Sequence, residues 1–126
     1  MDVGLEKGVK MEGYDLVNEL NDLCNKLTVS GRQMMKYGRE LAEAERDYKV
    51  CLRQEALKLR NSENMPVTLI NQIVYGIPEV AELRFKRDIA ETMYKVSMES
   101  INTLKLKIRV LDAQISREWG GNNGRT

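Results

Sequence analysis

Apolar residues recur in steps of three and four along two long stretches of the chain, residues 14–60 and 78–119. Steps of three and four put side chains on one side of an α-helix, so each stretch predicts a long helix with one apolar stripe. In a coiled coil two such stripes pack together, and we call the stripe of each helix its seam. The seam comprises Leu16, Leu20, Leu23, Leu27, Ser30, Met34, Tyr37, Leu41, Ala44, Tyr48 and Cys51 in the first helix, and Leu83, Arg87, Ala90, Tyr94, Ser97, Ile101, Leu104, Ile108, Leu111, Ile115 and Glu118 in the second.

Proline and glycine residues mark the ends of the predicted helices. Pro66 predicts the start of a short apolar helix, and Gly76 predicts its end. Pro78 predicts the start of the second long helix, and the pair Gly120-Gly121 predicts its end. The short helix is too apolar for a solvated connector, so we expect it to cover the core at the turn.

The predicted fold is therefore an all-α antiparallel hairpin of two long helices with a short helix at the turn. The long helices are expected over residues 14–60 and 78–119, and the short helix over residues 66–75. Residues 1–13 are expected to form a flexible N-terminal arm, residues 14–119 the helical hairpin domain, and residues 120–126 a disordered tail.

A register for the two seams follows from the position of the turn. Seam residues whose numbers sum to about 138 are expected to face one another. Tyr94 then faces Ala44, and Arg87 lies beside Glu55. Because large residues meet small ones in this alignment, it is compatible with close packing.

The first helix has one weak point, at Ser30-Gly31. Glycine in a helix interior costs about 1 kcal/mol relative to alanine, and the preceding residues Thr28 and Val29 are β-branched. The sequence leaves open whether the helix kinks or breaks there.

Composition argues against catalysis and against a strong charge field. The chain has 126 residues, 20 Lys and Arg against 19 Asp and Glu, and no histidine. Without histidine it lacks the commonest general base and metal ligand, so we expect no enzyme activity and no cofactor. No apolar run is long enough to cross a membrane and no signal peptide is apparent, so a cytoplasmic protein is expected.

The predicted helices carry more apolar surface than one hairpin can bury. The surplus lies opposite the seam of the second helix, at Phe85, Ile89, Val96, Leu106 and Val110. Helices that are apolar on two faces are usually buried on two faces. Two interpretations remain open: two hairpins form a dimeric helical bundle, or this surface docks on a partner protein.

Basic residues form a second pattern, on the first helix. Arginines stand seven residues apart, at the positions farthest from the seam. The spacing runs from Arg32 to Arg60, with Lys36 beside it, and the candidate contact residues, which we call the arginine line, are Arg32, Lys36, Arg39, Arg46 and Arg53. It is either a solvated face whose charges pair with neighbouring acids such as Glu40, Glu43 and Asp47, or a binding surface for an acidic partner or nucleic acid.

Several segments resemble a group of natural proteins. AEAERDYKVCLRQEALKLR, MPVTLINQIVYGIPEVAELRFKRDIAETMY and INTLKLKIRVLDAQISREWG are similar to small helical proteins encoded by phages and prophages of Gram-positive bacteria. The resemblance implies a bacterial host cytoplasm as the setting and assigns no site residues. It suggests either an inhibitor or modulator that docks on a host defence or replication complex, or a replication and recombination accessory protein that binds DNA.

Overall fold

A computed structural model describes residues 13–123 of the protein, and their side chains up to residue 120. The element order is α1 (Gly13–Ser62), α2 (Val67–Ile73), a 3-10 helix (Val74–Gly76) and α3 (Pro78–Asn123). No strand occurs between residues 13 and 123. The prediction of an all-helical protein, with one long helix packed on another, is confirmed.

The end of α1 is set by an asparagine with left-handed backbone geometry. Asn64 has φ of 50°, and the amide of Met65 donates to the carbonyl of Leu59 at 3.3 Å. The amide of Glu63 donates to the same carbonyl at 3.3 Å, so the Leu59 carbonyl at the helix end is satisfied by two donors. Asparagine tolerates the left-handed region better than most residues, so NSENM is suited to end the helix.

The two prolines begin the following helices. Pro66 is the N-cap of α2, and its carbonyl accepts hydrogen bonds from the amides of Leu69 and Ile70. Pro78 is the first residue of α3, where its missing N–H costs nothing. The predicted short helix is therefore present, with its last turn wound as a 3-10 helix.

Both long helices extend beyond the predicted bounds. Gly13, predicted in the N-terminal arm, already begins α1, and the rest of that arm lies outside the described residues. The second helix was predicted to end at residue 119, but α3 continues through Gly120 to Asn123. No glycine among the described residues has positive φ, so Gly120 serves as an ordinary helical residue and not as a left-handed cap. The disordered tail predicted from residue 120 is wrong as far as Asn123, and residues 124–126 lie outside the described range.

The helix α1 is continuous through Ser30-Gly31, so no break occurs at the predicted weak point. The chain does divide into two compact units near this place. The first unit combines the residues up to Gly31 with those from Glu99 onward, and the second unit is Arg32–Met98.

The first unit has a leucine-rich core between α1 and α3. Leu16, Leu23 and Leu111 are buried together. Packed against them are Leu20, Leu104, Ile108 and Ile115. All of these residues are predicted seam positions, so the seam prediction is confirmed in this unit.

The second unit is closed by the short helix. Ile70 of α2 and Val74 of the 3-10 helix are buried, as is Val80 at the start of α3. Farther along, Tyr48 and Ser97 are buried at seam positions. The predicted cover of the turn is confirmed for Ile70 and Val74, whereas Val67, Leu69 and Ile73 are exposed.

The register between the helices differs from the predicted one. In the second unit, a Cβ atom placed on Gly38 would lie 3.2 Å from Cε1 of Tyr94, and Arg87 pairs with Glu45. The residue numbers of both pairs sum to 132. Tyr94 facing Ala44 is therefore wrong by six residues of α1, close to one heptad, and Arg87 pairs with Glu45 and not with Glu55.

The first unit independently shows the same register. A Cβ atom on Gly13 would lie 3.3 Å from Nε1 of Trp119, and these residue numbers also sum to 132. In each unit a large aromatic side chain of α3 thus lies against a glycine of α1. Large side chains face small residues, as expected, but Tyr94 faces Gly38 where Ala44 was predicted.

We expect Gly31→Ala and Gly38→Ala to affect stability differently. Nothing lies within 4 Å of a Cβ atom at Gly31, so alanine there should raise the free energy of unfolding by about 0.5–1 kcal/mol. At Gly38 the ring of Tyr94 must move to admit the methyl group, so the gain should be smaller or reversed. Urea unfolding followed by circular dichroism measures both, and equal gains would contradict the Gly38–Tyr94 contact.

A double-mutant cycle tests the register directly. Arg87→Met and Glu45→Gln should show a coupling of about 0.5–1 kcal/mol in the free energy of unfolding, because their side chains are only 20% and 34% exposed. The matched control is the cycle of Arg87→Met with Glu55→Gln, for which we expect no coupling. A larger coupling to Glu55 would support the register first predicted.

Candidate interaction surfaces

Four large apolar side chains lie exposed on one side of α3 in the second unit. Phe85, Ile89, Met93 and Val96 are 58%, 48%, 41% and 59% exposed, and we call them the apolar face. Their spacing of four, four and three residues keeps them on one side of the helix, opposite the seam. Phe85, Ile89 and Val96 were predicted at these outward positions.

A network behind the apolar face fixes α3 on α1. The Arg87 guanidinium donates from Nε to Asp88 at 2.8 Å and from Nη1 to Glu45 at 3.4 Å. It also lies over the ring of Tyr48, 4.8 Å from the centroid. The hydrogen bond to Asp88 raises the pKa of Arg87 above its ordinary value. This partly buried cation anchors the helix that carries the apolar face.

Leu106 and Val110, predicted in the same set, lie in the first unit. Both are more than half exposed. They border an open groove between α1 and α3, whose further lining is Glu19, Leu23, Lys26, Lys107, Leu111 and Gln114. The sequence groups all five outward residues into one strip, whereas the structure assigns them to two separate units.

The arginine line lies along α1 in the second unit, and all its members are exposed. Arg46 pairs with Asp47 at 3.0 Å, in a solvated contact between chain neighbours that contributes little stability. Within the described range, no carboxylate lies within 4.0 Å of the other members, which are Arg32, Lys36, Arg39 and Arg53. Of the pairings that the solvated-face interpretation names, the one with Asp47 is observed for Arg46, whereas those with Glu40 and Glu43 are not observed in the described range.

Sequence reasoning missed a groove where α1 meets the turn in the second unit. It is lined by Lys49, Val50, Leu52, Arg53, Ala56, Asn71, Val74 and Tyr75, and we call it the turn groove. The ring of Tyr75 lies under the guanidinium of Arg84, 5.4 Å from the centroid. The available signal was the outward Val50 together with the surplus of apolar residues in the short helix.

Nucleophilic and metal-binding groups are sparse in the described residues. Burial raises the pKa of the Cys51 thiol, and the nearby carboxylates of Glu79 and Glu55 raise it further. The thiol is therefore a weaker nucleophile at neutral pH than an ordinary cysteine. Between residues 13 and 123, no three Cys, Asp or Glu residues are grouped as a metal site.

Comparison of the chain with protein-family models, curated proteins and solved structures finds no match. None of the helices in the described part of the chain has an apolar stretch sufficient to span a bilayer.

Proposed function

We propose that this protein is a non-catalytic binding protein whose apolar face docks on a partner protein. The observation that carries the proposal is the exposure of Phe85, Ile89, Met93 and Val96 on a single side of α3. Large apolar residues at i, i+4, i+8 and i+11 are the pattern by which a helix inserts into a hydrophobic groove of another protein. Here α3 supplies the helix, and the partner supplies the groove.

The anchoring of α3 also supports docking. Arg87 is held by Asp88, Glu45 and Tyr48, so the apolar face is presented by a helix already fixed in place. A preorganised helix loses less conformational entropy on binding than a free peptide does. More of the free energy gained by burying Phe85 and its neighbours then appears as affinity.

The partner that we propose is a bacterial host protein. The resemblance to phage and prophage proteins supports this setting, with a host defence or replication complex as the target and inhibition or modulation as the effect. The absence of histidine in the sequence supports a role without catalysis.

A second copy of the chain is the competing occupant of the apolar face. Antiparallel pairing of two such faces would set Phe85 against Val96 of the partner subunit and bring Asp88 near Lys95 of the partner subunit. Stable interfaces use roughly 20–30 residues a side, so these four side chains would be the centre of a larger contact with either occupant. We propose that the free protein forms such a dimer and that the partner protein displaces it.

We expect Phe85→Asp to abolish partner binding without loss of helicity. The substitution places a charge in the docking contact, and Phe85 has no role in the core of the isolated chain. The partner is first captured from extracts of phage-infected Gram-positive bacteria and identified by mass spectrometry. Its affinity for each purified variant is then measured by calorimetry.

The matched control is Met35→Asp, an equivalent change at a 75% exposed residue of α1 outside the apolar face. It should bind like the unmodified protein. Equal affinity of both variants would contradict docking at this face, and loss of helicity in Phe85→Asp would show that the residue is needed for the fold. Sedimentation of the free protein reports whether Phe85→Asp also removes a dimer.

DNA binding through the arginine line is the second candidate function. It is favoured by the absence of any carboxylate within 4.0 Å of Arg32, Lys36, Arg39 and Arg53 in the described range. Arginines seven residues apart repeat about every 10 Å along a helix, and each can neutralise one phosphate.

If this function holds, the affinity for duplex DNA falls steeply with salt, with a slope of about −0.9 per neutralised phosphate on logarithmic axes. Combining Arg39→Glu with Arg46→Glu should abolish binding, whereas the control pair Lys86→Glu with Lys95→Glu, on α3, should weaken it little. Unchanged electrophoretic mobility of labelled single- and double-stranded DNA at low salt would eliminate this candidate.

A further inference from the structure

The turn groove combines apolar walls with a positive rim. Val50 and Tyr75 are each almost half exposed, while Val74 is only 3% exposed and forms part of the floor. Leu52 and Ala56 of α1 are half-buried beside them. The groove therefore offers an apolar surface large enough for a bulky side chain but not enclosed enough to bury a free small molecule.

The charged residues that line this groove are both cations. Lys49 contacts Glu45 at 3.3 Å, whereas no carboxylate of the described residues lies within 4.0 Å of Arg53. The nearby acid Glu55 contacts Lys58 instead. Arg84, stacked on Tyr75, adds a third cation at the edge of the groove. A ligand with negative charge would complement these cations.

Only Arg53, among the members of the arginine line, borders this apolar groove. Its guanidinium can bind a carboxylate through two parallel hydrogen bonds, which a lysine cannot do. The attraction between the carboxylate and Arg53 would be strongest where an adjacent apolar surface excludes water from the pair. Arg53 therefore differs in its surroundings from Arg32, which has the same position in the heptad but does not line the turn groove.

We propose that the turn groove binds an acidic segment of a partner protein in which a bulky apolar side chain lies next to carboxylates. The apolar side chain packs on Val50 and Tyr75, and the carboxylates bind Arg53 and Lys49. Nucleic acid is disfavoured, because the walls are mainly aliphatic and the single aromatic ring already carries Arg84 on one face. A phosphate backbone would leave the aliphatic surface uncovered.

This site is separate from the apolar face that the proposed function uses. The turn groove is built by α1, α2 and the 3-10 helix, whereas the apolar face belongs to α3 alone. The two sites share no residue, so each can be tested while the other is intact. One partner could occupy both, or each could bind a different protein.

The test is fluorescence polarisation with a labelled synthetic peptide rich in Glu and Leu. We expect it to bind the intact protein, with affinity that falls as salt is raised. Two further peptides, with Gln in place of every Glu or Ser in place of every Leu, should bind at least about tenfold more weakly, because each removes one half of the recognition.

Variants of the protein locate the binding. Arg53→Glu and Val50→Asp should each weaken binding of the Glu/Leu peptide by roughly tenfold or more. Arg32→Glu, the same change at an equivalent position outside the groove, should have little effect, and so should Phe85→Asp. Circular dichroism checks that each variant remains helical.

Four outcomes would overturn the proposal. The first is failure of the Glu/Leu peptide to bind the intact protein at low salt. The second is an equal loss of affinity in Arg32→Glu and Arg53→Glu, which would indicate a diffuse electrostatic attraction. The third is tighter binding of a labelled DNA strand that Arg53→Glu abolishes, which would assign the groove to nucleic acid. The fourth is loss of binding in Phe85→Asp alone, which would assign the peptide site to the apolar face.

Discussion

The packing of aromatic side chains of α3 against glycines of α1 is the contact on which the helix pair depends. Tyr94 lies on Gly38 in the second unit, and Trp119 lies on Gly13 in the first. A glycine in a helix costs stability by itself, but it lets a large ring approach the helix backbone. Both contacts agree with one alignment of the two helices, in which the numbers of facing residues sum to 132.

One consequence of this packing is that each long helix buries only one stripe of side chains, its seam. The seam residues of α1 and α3 are buried or half-buried, and the opposite side of α3 keeps Phe85, Ile89 and Val96 in contact with solvent. The core of the isolated chain does not need these side chains. Their exposure is therefore compatible with binding to another molecule, because that contact would remove further apolar surface from water.

Two arginines of the protein, Arg87 and Arg53, serve different purposes. Arg87 is partly buried and engaged by Glu45, Asp88 and Tyr48, so it serves the helix pair. Arg53 is exposed beside an apolar groove and has no carboxylate within reach among the described residues, so its donors are available to a ligand. The two arginines thus differ in role because carboxylates lie beside Arg87 and none lies within reach of Arg53 among the described residues.

The sequence by itself determined the helices, their seams and the outward position of the apolar residues. These follow from a period of 3.6 residues, which any local stretch displays without reference to the rest of the chain. Pro66 and Pro78 likewise begin, or immediately precede, the helices that follow them. Gly120 was misleading, because glycine permits a left-handed cap but does not enforce one.

Only the tertiary structure decided the register and the neighbours of each arginine. A heptad pattern looks nearly the same after a slide of one repeat, so Tyr94 could be aligned with Ala44 as readily as with Gly38. The register depends on the fit of particular side chains and on the geometry of the turn. Neither can be seen in the repeating pattern of apolar residues. For the same reason Arg32 and Arg53 are equivalent along the sequence, and only the folding of the short helix against α1 places an apolar groove beside one of them.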